Sequence, residues 1–317
     1  MRYLAGIGLI LVLLAAPIAA KALFPETPRS FNRIPLESTQ YEEIRFANTE
    51  QDLELAGMLF WPEGEGPFPL VVVIHGAGNS FRGNPWYLSF VTQLQAQGIA
   101  VLLPDKRGCE QSEGDWHTAS FTDLATDTYA AIDHVRAAYA GKVSCIGVLG
   151  ASQGGQIAPI VGAHRDDIGF VVNVVGSAVP FDEAFHYEEN LNLRAMGVLP
   201  GLSNVIAYAS CAWIRHVAQK DFWSAVGHFD PLPYWQESKV PALVIYGAED
   251  TNVPSQASAD RLKELGRDDL EVEIYPGSTH KIEDPPGQGD SYFRADAIER
   301  MTTFIRAHCG ATDAPAA

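Results

Sequence analysis

The sequence predicts an α/β protein: a mostly parallel sheet of the eight-stranded type, with helices on both faces and a helical insertion. Strand-like apolar segments alternate with helix-like segments from residue 69 onward, which is the pattern of βαβ units. The run "PLVVVIHGAG" at 69–78 is nearly continuous in β-branched residues, as in a parallel strand buried on both faces. The alternation stops at 177–235 and then resumes, so we expect one large domain carrying an insertion.

The first half of the chain supplies the first strands in order. Residues 41–64 show two alternating stretches around a polar turn at 48–52, which indicates an antiparallel hairpin. Each of the next strands is followed by a helix, so their connections are right-handed crossovers. We expect strands at 69–78, 98–105 and 143–150, and helices at 86–97 and 121–140.

The second half completes the sheet around the insertion. Residues 177–235 are rich in aromatic and polar residues and favour helix, so this segment is predicted as a helical insertion that lies over the carboxyl ends of the strands. Open α/β folds place their ligands at that edge. We expect strands at 168–176, 240–250 and 270–276, and helices after residue 152, at 255–266 and at 291–308.

The N-terminus has the pattern of a secretory signal peptide. A short basic start is followed by uncharged Leu4–Ala20, and "AKA" at Ala20–Ala22 offers a small-residue cleavage site. The chain is therefore expected to be exported, with an uncleaved membrane anchor as the alternative. Residues 1–22 are the predicted leader, 23–40 an extended lead-in, 41–310 the domain with its insertion, and 311–317 a disordered tail.

Charge and cysteine content exclude several classes of function. The chain has a formal net charge of −17, so it lacks the basic surface that nucleic-acid binding requires. Four widely spaced cysteines form no CxxC pair and no metal-ligand spacing. Cys145 lies in a predicted buried strand and is expected to act there as a small apolar side chain.

The segment "VLGASQGGQI" at 148–157 contains the candidate nucleophile. Residues 150–154 fit G-x-S-x-G, and a predicted strand runs directly into the first glycine while a helix-compatible segment follows. In that context Ser152 lies on a sharp turn that exposes its hydroxyl above the sheet. A phosphate-binding loop would end in G-K-[ST], and a dinucleotide fingerprint would open the first βαβ unit; both patterns are missing from the sequence.

A serine of ordinary pKa needs a base, and that base needs an orienting acid. Among nine histidines, His280 follows directly after the last predicted strand and can reach the carboxyl edge of the sheet. Asp250 follows the strand before it, which gives the chain order Ser, Asp, His. Glu249 is the close competitor for the acid, and Asp230 is weaker because no strand precedes it.

Five stretches together resemble the α/β-hydrolase superfamily: "VVVIHGAGNS", "LLPDKRGCEQSEG", "GASQGG", "VIYGAEDTNVP" and "GSTHKIED". They are most similar to its bacterial esterases, dienelactone-hydrolase-like proteins, and prolyl-oligopeptidase and serine-aminopeptidase relatives, over about residues 41–308. The resemblance implies Ser152 as nucleophile, His280 as base and Asp250 as orienting acid. It also implies that 177–235 is the cap, and it does not identify a substrate.

The predicted reaction develops negative charge on a carbonyl oxygen, so backbone N–H donors must lie beside Ser152. Gln153 follows the nucleophile, and Ala77 lies in the "HGAG" loop after the first long strand, with Gly78 as the second choice. The turn at Asp105–Gly108 resembles the family's D-x-R-G turn and is interpreted as structural.

These residues predict a serine hydrolase that cleaves carboxylic esters (EC 3.1.1) through an acyl-serine. The alternatives are an exported serine peptidase or aminopeptidase, and a non-catalytic binding protein on the same fold. No metal or organic cofactor is required, because the three side chains supply both nucleophile and proton shuttle. The expected partner is a small ester or a short peptide, and a membrane only if the leader stays uncleaved.

Overall fold

The computed structural model describes residues 21, 23, 31–285 and 292–309. The predicted leader and tail, and the first part of the lead-in, lie outside these residues apart from Lys21 and Leu23. Eight strands form one sheet in the order β1-β2-β4-β3-β5-β6-β7-β8. They are β1 Glu42–Asn48, β2 Leu53–Phe60, β3 Phe68–Ile74, β4 Ala100–Pro104, β5 Val143–Ala151, β6 Val171–Val174, β7 Ala242–Gly247 and β8 Leu270–Tyr275.

The pairing confirms the predicted sheet. Strands β4, β3, β5, β6, β7 and β8 run parallel, while β1 and β2 form the antiparallel hairpin at one edge. The inner strands β6 and β7 are buried along their whole length, as expected for strands that helices cover on both faces. The carboxyl ends of six parallel strands therefore meet at one edge, and the loops that leave them are neighbours in space.

Helices cover both faces of this sheet, also as predicted. One apolar cluster joins the sheet to α1 (Pro85–Ala96) and α9 (Ala295–His308). A second cluster joins the opposite face to α2 (Phe121–Ala138), α3 (Gln153–His164) and α8 (Ser255–Lys263). Among these, α2 begins with a capping box in which Ser120 and Asp123 satisfy each other's backbone N–H groups.

The segment between β6 and β7 is helical. It contains α4 Phe181–Ala195, α5 Pro200–Trp213, a π-helical stretch Ile214–Ala218, α6 Lys220–Val226 and α7 Leu232–Glu237. Helix α5 packs on α4, and its buried side chains are only the small ones of Ser203, Ala207 and Cys211. Across the described part of the chain, no helix combines the length and apolarity needed to cross a bilayer.

Strand β6 is shorter than the predicted 168–176. Val175 has a φ of 52°, and the Asn173 side chain accepts a hydrogen bond from the Gly176 N–H at 2.7 Å. This local turn ends the extended conformation after Val174, although the apolar pattern of the sequence continues beyond it.

The expectation for Cys145 was wrong. Cys145 at the start of β5 and Cys309 after α9 form a disulfide across a sequence separation of 164 residues. Sequence spacing cannot predict this pair. Only the packing of α9 against the sheet brings the C-terminal end of α9 to the first residues of β5. Cys109 and Cys211 are buried free thiols. Disulfides are typical of exported proteins, and export itself stays a prediction.

Candidate active site

Ser152 lies on a strained turn between β5 and α3. Its backbone has φ 55° and ψ −117°, in the region that non-glycine residues rarely adopt. The Ser152 N–H donates to Val174 O at 2.8 Å, and Ser152 O accepts from the Gly155 N–H at 2.8 Å. These bonds hold the conformation, so the hydroxyl projects from the carboxyl edge of the sheet, as the G-x-S-x-G pattern predicts.

The glycines of this motif are required by close packing. A Cβ atom at Gly150 would lie 2.2 Å from Gly154 O, and one at Gly154 would lie 2.0 Å from Ile74 O. The turn is therefore pressed against β3 and the first turn of α3, where any side chain would clash.

His280 and Asp250 reach Ser152 from the loops after β8 and β7. His280 Nε2 lies 2.8 Å from Ser152 Oγ, and His280 Nδ1 lies 2.8 Å from Asp250 Oδ2. The Asp250 side chain is fully buried, and its Oδ1 accepts the N–H groups of Asn252 at 2.7 Å and Val253 at 2.9 Å. With both carboxylate oxygens occupied, Asp250 holds the imidazole with Nδ1 as donor and Nε2 facing the serine.

The charges around His280 favour its protonated form. Burial lowers the pKa of His280, but the Asp250 carboxylate, with contributions from Glu188 and Glu283, outweighs burial, so the pKa is raised above its usual value. The ring lies against Trp86 with 6.5 Å between ring centroids, and Trp86 Nε1 donates to Lys281 O at 2.8 Å. Trp86 thereby supports both the imidazole and the loop that carries it.

The two predicted oxyanion donors lie on adjacent backbone segments. Gln153 is the first residue of α3, where N–H groups have no partner within the helix, and Ala77 is exposed in the loop after β3. Within that loop the Gly76 N–H donates to Tyr87 Oη at 2.7 Å, so it is already engaged. Ala77 and Gln153 line the same cavity as Ser152.

His75 is structural. Its Nε2 donates to Pro104 O at 2.6 Å, and burial lowers the pKa of His75 to about 4, so the ring is neutral at neutral pH. The D-x-R-G turn is also structural: Asp105 pairs with Arg82, and Arg107 pairs with Asp127 of α2.

Lys106, within that turn, is a residue that the sequence reasoning missed. It is 7% exposed, and its Nζ donates to Gly76 O at 2.9 Å, Gly78 O at 3.3 Å and Gln153 Oε1 at 3.1 Å. Its ammonium also lies 4.2 Å from the centroid of the Trp116 ring. Lys106 Nζ thus lies within hydrogen-bond distance of three acceptors, and this one side chain links the loop that carries Ala77 to the residue that follows Ser152.

Above Ser152 lies a cavity of about 1060 Å³ between the sheet edge and helices α4 and α6. Aromatic side chains from both layers line much of it, so the surface next to the serine suits an apolar group. Trp235, also from the aromatic-rich segment, is instead fully buried in the core. The aromatic lining residues are Trp86, Tyr87, Trp116, Phe181, Phe185, Phe222 and Trp223.

Helix α4 contacts the loop that carries the acid through two consecutive residues. Tyr187 Oη donates to Asp250 O at 2.9 Å, and Glu188 Oε1 accepts from Asn252 Nδ2 at 2.6 Å. Glu188 also lines the cavity, and burial raises its pKa. Two other acidic residues of this helix have partners within the same helical segment: Asp182 pairs with Arg215, and Glu189 accepts from Ser210.

The competing acids lie elsewhere. Glu249 is exposed, and Asp230 pairs with Arg261. Sequence reasoning missed Trp86 and Tyr87, which open the predicted helix at 86–97, and Lys106, which follows the predicted strand at 98–105. Their roles depend on contacts that no sequence pattern encodes.

A parallel sheet whose strand–helix turn carries a serine, with a carboxylate and a histidine on later loops, defines the α/β-hydrolase superfamily. The solved structure of the Pyrococcus furiosus esterase Pf2001 superposes with a TM-score of 0.64 at 22% identity, covering 90% of this chain and 98% of that one. This likeness shows the fold.

Residues 130–293, just over half of the chain, match the family model described as BAAT / Acyl-CoA thioester hydrolase C terminal, and the chain belongs to that family. Residues 52–195 also match the X-Pro dipeptidyl-peptidase (S15 family) model.

Two curated relatives are similar over most of the chain. Esterase EstD of Thermotoga maritima is 24% identical over 264 residues, which cover 76% of this chain and 63% of the relative. The peroxisomal succinyl-coenzyme A thioesterase of Mus musculus is 25% identical over 242 residues, covering 72% and 52%. The matched part therefore spans less than two thirds of either relative's length.

Proposed function

We propose that this protein is a serine hydrolase that cleaves carboxylic esters through an acyl-serine intermediate. The observation that carries the proposal is the hydrogen-bonded chain from Ser152 Oγ through His280 to Asp250, at the floor of an aromatic-lined cavity. Nucleophile, base and orienting acid are within hydrogen-bond reach of one another, as acyl transfer requires.

The proposed mechanism begins with His280 Nε2 accepting the proton of Ser152 Oγ as that oxygen attacks the ester carbonyl. The imidazolium that forms is stabilised by the Asp250 carboxylate and then protonates the departing alkoxide. Water enters, and His280 takes its proton as the hydroxide attacks the acyl carbon. The C–O bond to Ser152 then breaks, the acid leaves, and His280 returns the proton to Ser152 Oγ. The N–H groups of Gln153 and Ala77 receive the negative charge on the carbonyl oxygen.

Electrostatics favours an uncharged ester over an acyl-CoA. The chain has a net charge of −17, and Glu188 adds a carboxylate to the lining of the cavity. Both repel the phosphate groups of coenzyme A, which is part of the substrate named for one relative and for the family. The aromatic lining instead suits an apolar acyl or alcohol group.

A short peptide is the second candidate. Glu188 lines the cavity beside His280 and can pair with a substrate amine, and residues 52–195 match a peptidase family model. This alternative uses the same acyl-serine chemistry and differs only in the leaving group.

A substrate panel tests the proposal. We expect the protein to hydrolyse short p-nitrophenyl esters with a kcat/KM at least tenfold above that for acyl-CoA thioesters or aminoacyl p-nitroanilides. A mass shift of Ser152 by the acyl group in rapidly quenched samples reports the intermediate. Faster turnover of anilides or of acyl-CoA would replace the ester assignment, and no turnover of any class would contradict the hydrolase.

Lys106 gives a prediction about positioning. Lys106→Met keeps most of the aliphatic stem but removes three hydrogen bonds at the two oxyanion segments. We expect kcat to fall about 10- to 100-fold with KM changed less than about threefold, because the oxyanion donors act mainly in the transition state. The matched control is Lys142→Met. Lys142 Nζ also lies 4.2 Å from the centroid of a tryptophan ring, that of Trp61, but away from the cavity. Equal kcat in both variants would remove Lys106 from this role.

The same variant has a pH signature. Burial lowers the pKa of Lys106 to about 7, whereas an unfolded lysine titrates near 10.4. Between these values the unfolded state binds more protons, so the free energy of unfolding of the wild type rises with pH by up to about 1.4 kcal/mol per unit. Lys106→Met lacks this titrating group, so its free energy of unfolding should not show this rise with pH. Urea unfolding of both proteins at several pH values measures the difference.

A further inference from the structure

Glu188 is a partly buried carboxylate in the cavity that lacks a paired lysine or arginine among the described residues. Its Oε1 accepts from Asn252 Nδ2 at 2.6 Å, and its Oε2 accepts no hydrogen bond from the described part of the chain. Removing a carboxylate from water without a cation is unfavourable, and burial raises the pKa of Glu188 accordingly. A cation that enters the cavity would offset this cost.

The carboxylate stands on the face of α4 that lines the cavity. The residues of this face follow the helical spacing i, i+3, i+4 and i+7: Phe181, Ala184, Phe185 and Glu188. Trp223 of α6 packs against both phenylalanines, with its ring centroid 5.0 Å from Phe181 and 5.1 Å from Phe185. The carboxylate therefore lies one helical turn from an aromatic wall, and aromatic ring faces attract cations as well as apolar groups.

The other charges near this part of the cavity do not neutralise the carboxylate. Lys220 and Asp221 also line the cavity, but they are adjacent, exposed and opposite in charge. Arg215 does not line it and pairs with Asp182, and Lys106 Nζ is directed to carbonyl groups of the loop after β3. In a protein of net charge −17, the α4 side of the cavity thus favours a positively charged group.

We propose that Glu188 selects esters that carry an ammonium group close to the carbonyl that Ser152 attacks. The ammonium group lies against the Glu188 carboxylate and the aromatic wall of α4 and α6, and the bond that is cleaved remains an ester. This inference rests on the proposed ester hydrolysis and extends its electrostatic argument, because charges that disfavour coenzyme A favour a cation over an uncharged group. It differs from the peptide alternative in its leaving group, which is an alcohol.

A pair of esters of the same shape isolates the charge. Butyrylcholine ends in a trimethylammonium group, and 3,3-dimethylbutyl butyrate has carbon in place of the nitrogen. We expect kcat/KM of the wild type to be about tenfold higher for butyrylcholine, and Glu188→Gln to abolish this preference. Glutamine keeps an oxygen for Asn252, and the contribution of Glu188 to the pKa of His280 acts on both substrates, so it cancels in their ratio.

Glu189→Gln is the matched control. It removes the same charge from the adjacent residue, which accepts from Ser210 and does not line the cavity. We expect the ratio of the two substrates to stay within about twofold of wild type in this variant. An equal change of the ratio in both variants would assign the preference to net charge and overturn the role of Glu188.

A second pair of esters places the cation on the acyl side: p-nitrophenyl 4-(trimethylammonio)butanoate and p-nitrophenyl 5,5-dimethylhexanoate. A preference that depends on Glu188 in either pair supports the proposal and shows on which side of the ester the cation binds. Hydrolysis of the uncharged esters without such a preference in either pair would overturn this inference and leave the proposed reaction standing.

A binding measurement is independent of turnover. Calorimetry with Ser152→Ala reports the affinity for both cationic esters, and we expect Ser152→Ala/Glu188→Gln to bind at least one of them about tenfold more weakly. Unchanged affinity for both would overturn the proposal. Binding that depends on Glu188, together with no hydrolysis of any ester by the wild type, would keep the cation site and contradict the hydrolase.

Discussion

Replacing Ser152 by alanine is expected to lower kcat for ester hydrolysis by about 10⁵- to 10⁶-fold while leaving the fold intact. The hydroxyl is the only atom group removed, and without it His280 has no nucleophile to activate, so the acyl-serine cannot form. The turn itself is held by backbone hydrogen bonds to Val174 and Gly155, which alanine retains. Single-turnover kinetics on a p-nitrophenyl ester measure the loss.

A matched control separates this effect from a general disturbance of the cavity. Ser177 lines the same cavity, but its hydroxyl donates to Val179 O. We expect Ser177→Ala to keep activity within about tenfold and to react normally with a fluorophosphonate probe, whereas Ser152→Ala should not be labelled. Labelling of Ser152→Ala, or residual activity above about 1% of wild type, would contradict Ser152 as the nucleophile.

Asp250→Asn is expected to lower kcat by about 10⁴-fold. An amide can donate to His280 Nδ1, which would leave Nε2 protonated and unable to accept the serine proton. The isosteric amide also keeps an oxygen for the N–H groups of Asn252 and Val253, so the loop should remain folded.

The pH dependence of this variant has a definite sign. His280 acts as a base only when neutral, so kcat/KM of the wild type should rise with pH through the raised pKa of His280. Asp250→Asn removes the main charge that raises this pKa, while the opposing effect of burial remains. The residual activity should therefore begin its rise at a lower pH than in the wild type.

Glu249→Gln provides the comparison for the acid. Glu249 is adjacent in sequence but exposed, and we expect its variant to keep kcat within about threefold of wild type and the same pH profile. A large loss in Glu249→Gln together with near-normal activity in Asp250→Asn would exchange the two assignments.

Much of the fold was predictable because its signals are local. The β-branched run before His75 and the alternation of strands with helices each reflect burial along a short segment, and the structure confirms the sheet that they predict. The nucleophile motif could also be recognised from a local signal, because packing within one strand–helix turn requires Gly150 and Gly154. Chain order then pointed to Asp250 and His280, which the geometry brings to Ser152.

The remaining features depend on contacts between segments that are distant in sequence. Lys106 gives no pattern that distinguishes it from a solvated lysine, and its importance follows from carbonyl groups about 30 residues away. The sequence around Cys145 predicts only an apolar strand residue. The disulfide forms because α9 places Cys309 beside it in the folded protein. The sequence of α5 predicts that its apolar residues are buried in the core. In the structure Ser203, Ala207 and Cys211 pack against α4, and the large apolar side chains are exposed to solvent.

The sequence by itself determined the order of strands and helices, the strained turn at Ser152 and the chain order of its partners, because hydrophobic periodicity and backbone sterics act over a few residues. The tertiary structure decided which acid reaches the histidine, which lysine ties the oxyanion segments together, which cysteines pair and which face of the insertion stays exposed. Those outcomes are set by distances of a few ångströms between segments that only the packed sheet and its helices bring together.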